Sequence, residues 1–387
     1  MLARRADSMF RQRRISVPKR TSELVALMAI STTLFLFIHT RDLHTKLKAM
    51  EVKLQPEDML SGDSAAGVGG GSGNTAVSAM VRILTQSDEL ESLDAQELNN
   101  TRHAGVDVVF FNRVPKVGSQ TFMELLRRLS MRNIFGFHRD HIQRVETIRL
   151  APSDQLNLAT HVISYKPPAV YVKHVCFTNF TQYGLPEPIY VNLVRDPVER
   201  VISWYYYVRA PWYYVERKQA FPDIPLPDPH WLKKDFETCV LQGDRECRYL
   251  EGESHEGIGD HRRQSLFFCG HSDFCTPFNT LGALQRAKKA VERHYAVVGV
   301  LEDLNSTLTV LENYIPLFFK GATQVYWDEV DRFTRINRNL FKPPVSEEVK
   351  DIVRQNFTRE VEFYQFCRQR LHRQLLALRL PSTHSGA

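Results

Sequence analysis

The chain contains no GxxxxGK[ST] loop, no CxxC pair, no internal repeat and, beyond its first 20 residues, no excess of charge of either sign. The first absence makes ATP hydrolysis a poor fit, because the phosphate-cradling loop of such enzymes needs both glycines and the lysine after the second. The last concerns charge: seven of the 50 Lys and Arg residues (Arg4, Arg5, Arg11, Arg13, Arg14, Lys19 and Arg20) but only one of the 44 acids, Asp7, lie in the first 20 positions. The remaining 367 residues hold 43 groups of each sign. A net charge of +6 and a pI near 8.9 therefore describe a tail, not a basic body. Nucleic acid is not expected as a partner, and an anionic ligand must be held by a local patch. What is present is 43% hydrophobic, 24% charged and 11% aromatic residues, which excludes disorder, collagen and pure coiled coil for the whole chain. At least one full-sized globular domain is expected.

Leu24 to Thr40 (LVALMAISTTLFLFIHT) is a run of 17 residues without a formal charge, directly behind the basic tail. At 1.5 Å per residue it spans about 25 Å as a helix, which suits the thinner bilayers of the early secretory pathway. It reads as an uncleaved membrane anchor. A cleaved signal peptide is the competitor, but no small-x-small site precedes Arg41 and Asp42. The basic tail, residues 1–23, then stays cytosolic and everything after Thr40 is luminal. Residues 41–104 read as a stem: Leu43, Leu47, Met50 and Leu54 recur at helical spacing, and SGDSAAGVGGGSG at 61–73 is a flexible linker. A short coiled coil and a disordered spacer are both open readings of it. The globular domain is expected over residues 105–380, with a short tail at 381–387.

A luminal setting changes how cysteine and asparagine are read. Asn99, Asn179, Asn305 and Asn356 each open a glycosylation sequon. Cys239 with Cys247, and Cys269 with Cys275, are close enough in sequence to close two short loops, which an oxidising lumen favours. Zinc is the rival, without CxxC or nearby HxxxH spacing to accompany it. Cys176 and Cys367 are left as buried thiols.

The globular part alternates apolar runs with helical patterns. Val106 to Asn112 predicts a buried strand and Phe122 to Leu129 an amphipathic helix after a polar turn. Ile189 to Val194 predicts a second strand, followed by Arg195, Asp196 and Pro197 at the start of a helix. Ala296 to Val300 predicts a third, with a helix from about Glu302 to Ile315. Such alternation implies an α/β fold, a parallel sheet flanked by helices. The turn Arg113 to Thr121 (RVPKVGSQT) is the most chemically suggestive stretch. Gly118 permits close backbone approach, the following helix offers free N–H groups, and Lys116, Ser119 and Thr121 add donors, so the turn reads as an anion cradle.

Four segments carry a resemblance to a known family: NRVPKVGSQTF at 112–122, KHVCFTNFTQYG at 173–184, PIYVNLVRDPVERVISWYYY at 188–207 and FFCGHSDFC at 267–275. In order, over about residues 106–370, the chain resembles the glycosaminoglycan 2-O-sulfotransferases, the family of heparan sulfate 2-O-, uronyl 2-O- and Pipe-type enzymes. The resemblance implies a Golgi type II protein with a P-loop-like sulfotransferase fold that uses 3′-phosphoadenylyl sulfate (PAPS). It would sulfate the 2-OH of uronic acid residues in dermatan, chondroitin or heparan sulfate or a related acidic glycan. No metal is required, the paired cysteines would match the family's disulfides, and some members form homotrimers.

Carried over by residue, Lys116, Val117, Gly118, Ser119, Gln120 and Thr121 match the 5′-phosphosulfate loop, with Lys116 placed to stabilise charge on the transferring group. Arg195 and Ser203 match the pair that grips the 3′-phosphate. His174 matches the base that takes the proton of the sugar hydroxyl; His138, His141 and His161 have no such support. Arg113, Arg217 and Arg335 fall where acceptor contacts are expected, with Lys218 beside Arg217, and Tyr326 and Asn337 where the nucleotide site is completed. The chain departs from the heparan sulfate enzymes at Val172, where they carry a second His, and in that respect it is closer to the uronyl and Pipe-type branch. A family Lys corresponds to Leu340, a loss that either weakens the nucleotide grip or is offset by Arg338 or Lys342. A catalytically silent glycan-binding protein that keeps the fold is the alternative from another class, and the intact set His174, Lys116, Arg195 and Ser203 argues against it.

Overall fold

The computed structural model of the chain describes residues 94–141, 143, 147–254, 263–337 and 342–379. The basic tail, the anchor segment 24–40, most of the stem, the tail 381–387, and Arg338 and Leu340 lie outside the described residues. Among those described, no helix is long and apolar enough to cross a membrane.

Five strands form one parallel sheet in the order β2-β3-β1-β4-β5: β1 Val108–Asn112, β2 Gly136–Arg139, β3 Ala169–Lys173, β4 Ile189–Val194 and β5 Tyr295–Val300. Every residue of β1, β4 and β5 is buried, as expected of parallel strands covered on both faces, and their Val, Ile, Phe and Tyr content suits a pleated interior surface. Phe110 of β1 lies opposite Tyr171 of β3 and Tyr190 of β4. All three expected strands form, within two residues of their predicted starts. β2 and β3 were not anticipated. β2 is an edge strand of mixed polarity (GFHR) with no apolar run to announce it; it forms by pairing with β3 from Gly136 to Arg139.

The main helices are α1 Ser119–Asn133, α2 Pro152–Ile163, α3 Pro197–Tyr207, α4 Pro211–Ala220, α5 Leu281–His294, α6 Leu304–Tyr314, α7 Val330–Asn337, α8 Glu347–Asn356 and α9 Thr358–Ala377. Their starts follow local chemistry. Asp196 caps α3, its carboxylate accepting from the N–H groups of Val198 and Glu199 at 3.0 and 2.9 Å, with Pro197 supplying the first turn. α1 ends at Ile134, whose φ of 57° breaks the helix before β2.

The main core is built on the sheet and includes Phe110, Phe111, Phe122, Phe267, Phe268, Phe319, Tyr295 and Phe363. A second cluster joins α3 to the Phe236 and Phe357 region and contains the Cys239–Cys247 disulfide. The Cys269–Cys275 disulfide also forms, and Cys176 and Cys367 are buried thiols. Residues just before 105, counted with the stem from sequence, pack on the domain: Asn100 donates to the carbonyls of Glu292 and Tyr295, and Gln374 donates to that of Leu98.

With β1 central, the chain proceeds from it to β2 and β3 on one side and then to β4 and β5 on the other. In open parallel sheets a ligand crevice opens at the carboxyl ends of the strands where the order reverses. Here that point lies beyond Asn112, Lys173 and Val194.

Candidate active site

β1 runs into the loop 113–118, which turns tightly into α1. Lys116 and Gly118 both take left-handed backbone, with φ of 66° and 79°. Only glycine is free of penalty there, so Lys116 sits in a conformation that costs about 1 kcal/mol or more. At Gly118 a Cβ would stand 2.5 Å from Leu301 Cδ1, so any side chain there must displace the end of Leu301 in addition to bearing the strain of the positive φ. The 15-residue helix α1 begins at Ser119 without a side-chain cap, which leaves its first N–H groups pointing at the loop. A loop of this shape over an uncapped helix start is an anion-binding concavity.

Three cations surround it. The Lys116 ammonium lies 3.9 Å from the centre of the Tyr207 ring. Burial lowers its pKa to about 7, with the neighbouring Arg195 and Arg113 charges acting in the same direction. An anion seated in the cradle opposes the repulsion from Arg195 and Arg113 and favours the charged form of the lysine. Arg195, at the end of β4, donates from Nη1 to the Lys116 carbonyl at 3.3 Å and is flanked by Glu199 at 3.6 Å and Glu302 at 4.0 Å. Arg113 donates from Nη2 to Gln120 at 3.2 Å.

His174 follows the last residue of β3. Its Nδ1 lies 2.9 Å from the Arg113 carbonyl oxygen. A carbonyl only accepts, so Nδ1 carries the proton and Nε2 is the basic nitrogen. Nε2 makes no hydrogen bond among the described residues. Burial, and after it the Arg113 charge, hold the ring's pKa well below 6.5, outweighing the Arg113 hydrogen bond that acts in the opposite sense. The imidazole is thus neutral and able to accept a proton near neutral pH.

A buried polar cluster ties this end of the sheet together. The Asn112 side chain donates to the carbonyls of Phe267 and Val175 at 3.0 and 3.4 Å, and its oxygen accepts from Tyr295 at 2.9 Å and Asn192 at 3.2 Å. It therefore links β1 to the residue after His174, to β4 and β5, and to the FFCG segment. Nothing in the spacing of these residues announced the cluster.

Arg113, Lys116, Gly118, Ser119, Gln120, Val172, His174 and Arg217 line one cleft of about 730 Å³. Lys173 and Asp140, an ion pair at the ends of β3 and β2, and the rings of Trp204, Tyr207 and Tyr213 share it. These were missed by sequence reasoning, although the WYYY run of the third segment could have pointed to the aromatic wall. The other expected site residues lie elsewhere. Val117 is in the core, Thr121 donates to the Phe333 carbonyl at 3.3 Å, and Ser203 is buried on α3. Tyr326 stacks on Phe333 with ring centres 5.3 Å apart, and Arg335 is exposed on α7. Neither lines the cleft. The side chain of Asn337 lies outside the described residues. Lys342 is paired with Glu199 at 2.8 Å. Arg217 and Lys218 face different cavities: Lys218 lines a second, mostly apolar one of about 1040 Å³ and donates to the Pro222 carbonyl at 2.9 Å. Among the described residues no group of His, Cys, Asp and Glu is placed to hold a metal ion.

Of the sequon asparagines, Asn305 and Asn356 are exposed. Asn99 and Asn179 use their side chains to cap local turns, and Asn99 also donates to the Tyr314 carbonyl.

Comparison with known proteins places residues 99–367 within the profile described as "Sulfotransferase family". The chain is 37% identical to the uronyl 2-sulfotransferase homolog pip of Drosophila melanogaster, over 98% of this chain and 93% of that one. It is 30% identical to mouse uronyl 2-sulfotransferase, over 72% of this chain and 65% of the other. Heparan sulfate 2-O-sulfotransferase 1 of Xenopus laevis is 31% identical, over 67% and 69% respectively.

Proposed function

The chain belongs to the sulfotransferase family and is a sulfotransferase, and on that footing we propose that it sulfates the 2-OH of uronic acid residues in a glycosaminoglycan or related acidic glycan. PAPS, when bound, supplies the sulfuryl group and departs as adenosine 3′,5′-bisphosphate. The residues present suit such a donor: the cradle of Lys116 and Gly118 offers backbone N–H groups and an ammonium, and Arg195 adds a guanidinium against the same loop. The observation that carries the reading is that His174, with its protonated nitrogen turned to the Arg113 carbonyl, lines the same cleft as Lys116.

In this reading His174 Nε2 takes the proton of the acceptor hydroxyl as its oxygen bonds to sulfur. Lys116 stabilises the negative charge that collects on the leaving phosphate oxygen as the old sulfur–oxygen bond breaks. Arg195, with Ser203, holds the 3′-phosphate. Arg113, Arg217 and Lys173 line the cleft with positive charge that suits a polyanionic acceptor, and Trp204 and Tyr213 offer faces on which sugar rings rest.

The family resemblance supports a Golgi setting with the anchor at 24–40, the domain from about Asn99 in the lumen and a homotrimeric assembly. Two disulfides suit an oxidising compartment, and Asn305 and Asn356 are open to glycans.

The test uses the full-length chain with labelled PAPS and, separately, heparan, chondroitin and dermatan acceptors, followed by disaccharide analysis. Label at uronic acid O2 that vanishes in His174→Ala is the expected result. Nucleotide binding without transfer to any acceptor would refute the proposal and favour a silent glycan-binding protein.

A further inference from the structure

Arg195 contributes to the cradle only if its guanidinium is held in register with the loop, and Glu199 and Glu302 on either side pull on it. Its backbone is held by one side chain. The Gln264 amide oxygen accepts from the Arg195 N–H at 3.1 Å, and the Gln264 amide nitrogen donates to the Arg195 carbonyl at 2.8 Å. Both main-chain groups of the residue that follows β4 are thus taken by one amide, in the manner of a strand partner.

Gln264 is itself fixed from behind. The Glu360 carboxylate, on α9, accepts from the Gln264 N–H at 2.8 Å and from the Ser265 N–H at 3.2 Å, and the Ser265 hydroxyl donates to its other oxygen. Gln264 is fully buried and Glu360 is 1% exposed. The charge that faces Glu360 is Arg200 of α3, also fully buried, which donates to the Pro115 carbonyl at 3.4 Å. Pro115 and Lys116 are consecutive, so the two carbonyls of the loop's tightest turn are each held by an arginine: Pro115 by Arg200 and Lys116 by Arg195. Fixing two successive carbonyls fixes two peptide planes, and with them the N–H groups that face the opposite way.

We propose that Gln264, seated on the buried Glu360, is the positioning residue that sets Arg195 for the 3′-phosphate of the nucleotide. It lines no part of the catalytic cleft and acts through Arg195 alone. An apolar residue at 264 leaves an N–H and a carbonyl of Arg195 without partners in a buried setting, and the turn relaxes to find others. The guanidinium then moves with the backbone that carries it. Contacts to the 5′ side of the nucleotide lose only the Arg195 bond to the Lys116 carbonyl; the Lys116 ammonium, the Pro115 carbonyl held by Arg200 and the start of α1 stay in place, so these contacts weaken less. The inference rests on the reading of Arg195 as the 3′-phosphate clamp.

The experiment measures, by titration calorimetry on the full-length protein, the affinities for adenosine 3′,5′-bisphosphate and adenosine 5′-monophosphate, with thermal unfolding followed in parallel. Native protein prefers the bisphosphate. In Gln264→Met the bisphosphate is expected to bind about tenfold more weakly, the scale of one charge-assisted hydrogen bond, while the monophosphate weakens by clearly less, so that the preference for the bisphosphate narrows. Gln264→Glu keeps the acceptor for the Arg195 N–H but sets a second acceptor against its carbonyl, and is expected to narrow the preference at least as far. Equal weakening of both nucleotides, or an unchanged preference, would overturn the proposal. Loss of the folded state in both variants would overturn it too, because Gln264 would then hold the core rather than the arginine. Absence of any preference in native protein would refute the reading of Arg195 itself, and the inference with it.

Discussion

Gly118→Ala separates backbone strain from contact at the anion cradle. The native φ of 79° lies where an L-residue costs about 1–2 kcal/mol. The added Cβ also stands 2.5 Å from Leu301 Cδ1, with Cδ2 and Cγ at 3.6 Å. Only the end of a flexible side chain is in the way, so Leu301 yields by leaving its rotamer at about 0.5–1.5 kcal/mol. If the loop keeps its shape the two contributions come to about 1.5–3.5 kcal/mol, a large part of the 5–15 kcal/mol that holds most domains together. Urea unfolding reads this directly, and a domain of this size would lose on the order of 4–10 °C in melting temperature. A cycle with Leu301→Ala divides it: the double variant recovers the contact part and leaves the backbone part. If the loop instead relaxes, stability falls by less but the N–H groups turn away from the cradle, and adenosine 3′,5′-bisphosphate binds more weakly. A variant with native stability and native nucleotide affinity would refute the claim that this left-handed turn builds the cradle.

Four further outcomes are expected. Lys116, whose pKa is lowered to about 7 by burial and then by Arg195 and Arg113, binds anions as its charged form, so bisphosphate affinity in native protein falls as pH rises through 7; calorimetry across pH 6–9 should show this, Lys116→Arg should flatten it, and a flat native profile would count against the lysine. Because His174 is held well below its ordinary value, first by burial, its neutral form persists at mildly acid pH, and the acid limb of kcat/KM should lie below pH 6.5. Asn112→Ala removes the partner of two buried carbonyls and of Tyr295 and Asn192, and should cost about 2–4 kcal/mol in urea unfolding; a loss under 1 kcal/mol would mean water replaces the amide. Cys269→Ser with Cys275→Ser opens a loop of sequence separation 6, short enough that the loss should be only about 2 kcal/mol, read as a melting shift insensitive to reductant at that site.

The elements legible in the sequence are those whose signal is local. β1, β4 and β5 are apolar runs long enough to need burial on both faces, and α3 begins where Asp196 and Pro197 say it should. The cysteine pairs are close in the chain, so proximity alone brings them within bonding range. β2 escaped notice because it has no apolar run, and its strand form is supplied largely by the ladder it finds beside it; β3 (AVYVK) carries an apolar run as long as that of β1 and was readable but passed over.

Sequence by itself determined that a parallel α/β domain exists and that a strand, a glycine turn and a helix follow one another, signals that lie within one turn or one strand of each other; His174 was singled out through the family resemblance of its KHV segment, not by local spacing. Tertiary structure alone decided which nitrogen of His174 is basic, since the Arg113 carbonyl that decides it lies 61 residues away. It alone joined Asn112 to Phe267 across 155 residues and Gln264 to Glu360 across 96. It also left Tyr326 stacked on Phe333 while bringing Lys173, Asp140 and Tyr207 into the cleft. Buried polar groups must find partners wherever the fold presents them, and that choice is made in three dimensions, where chain spacing carries no record of it.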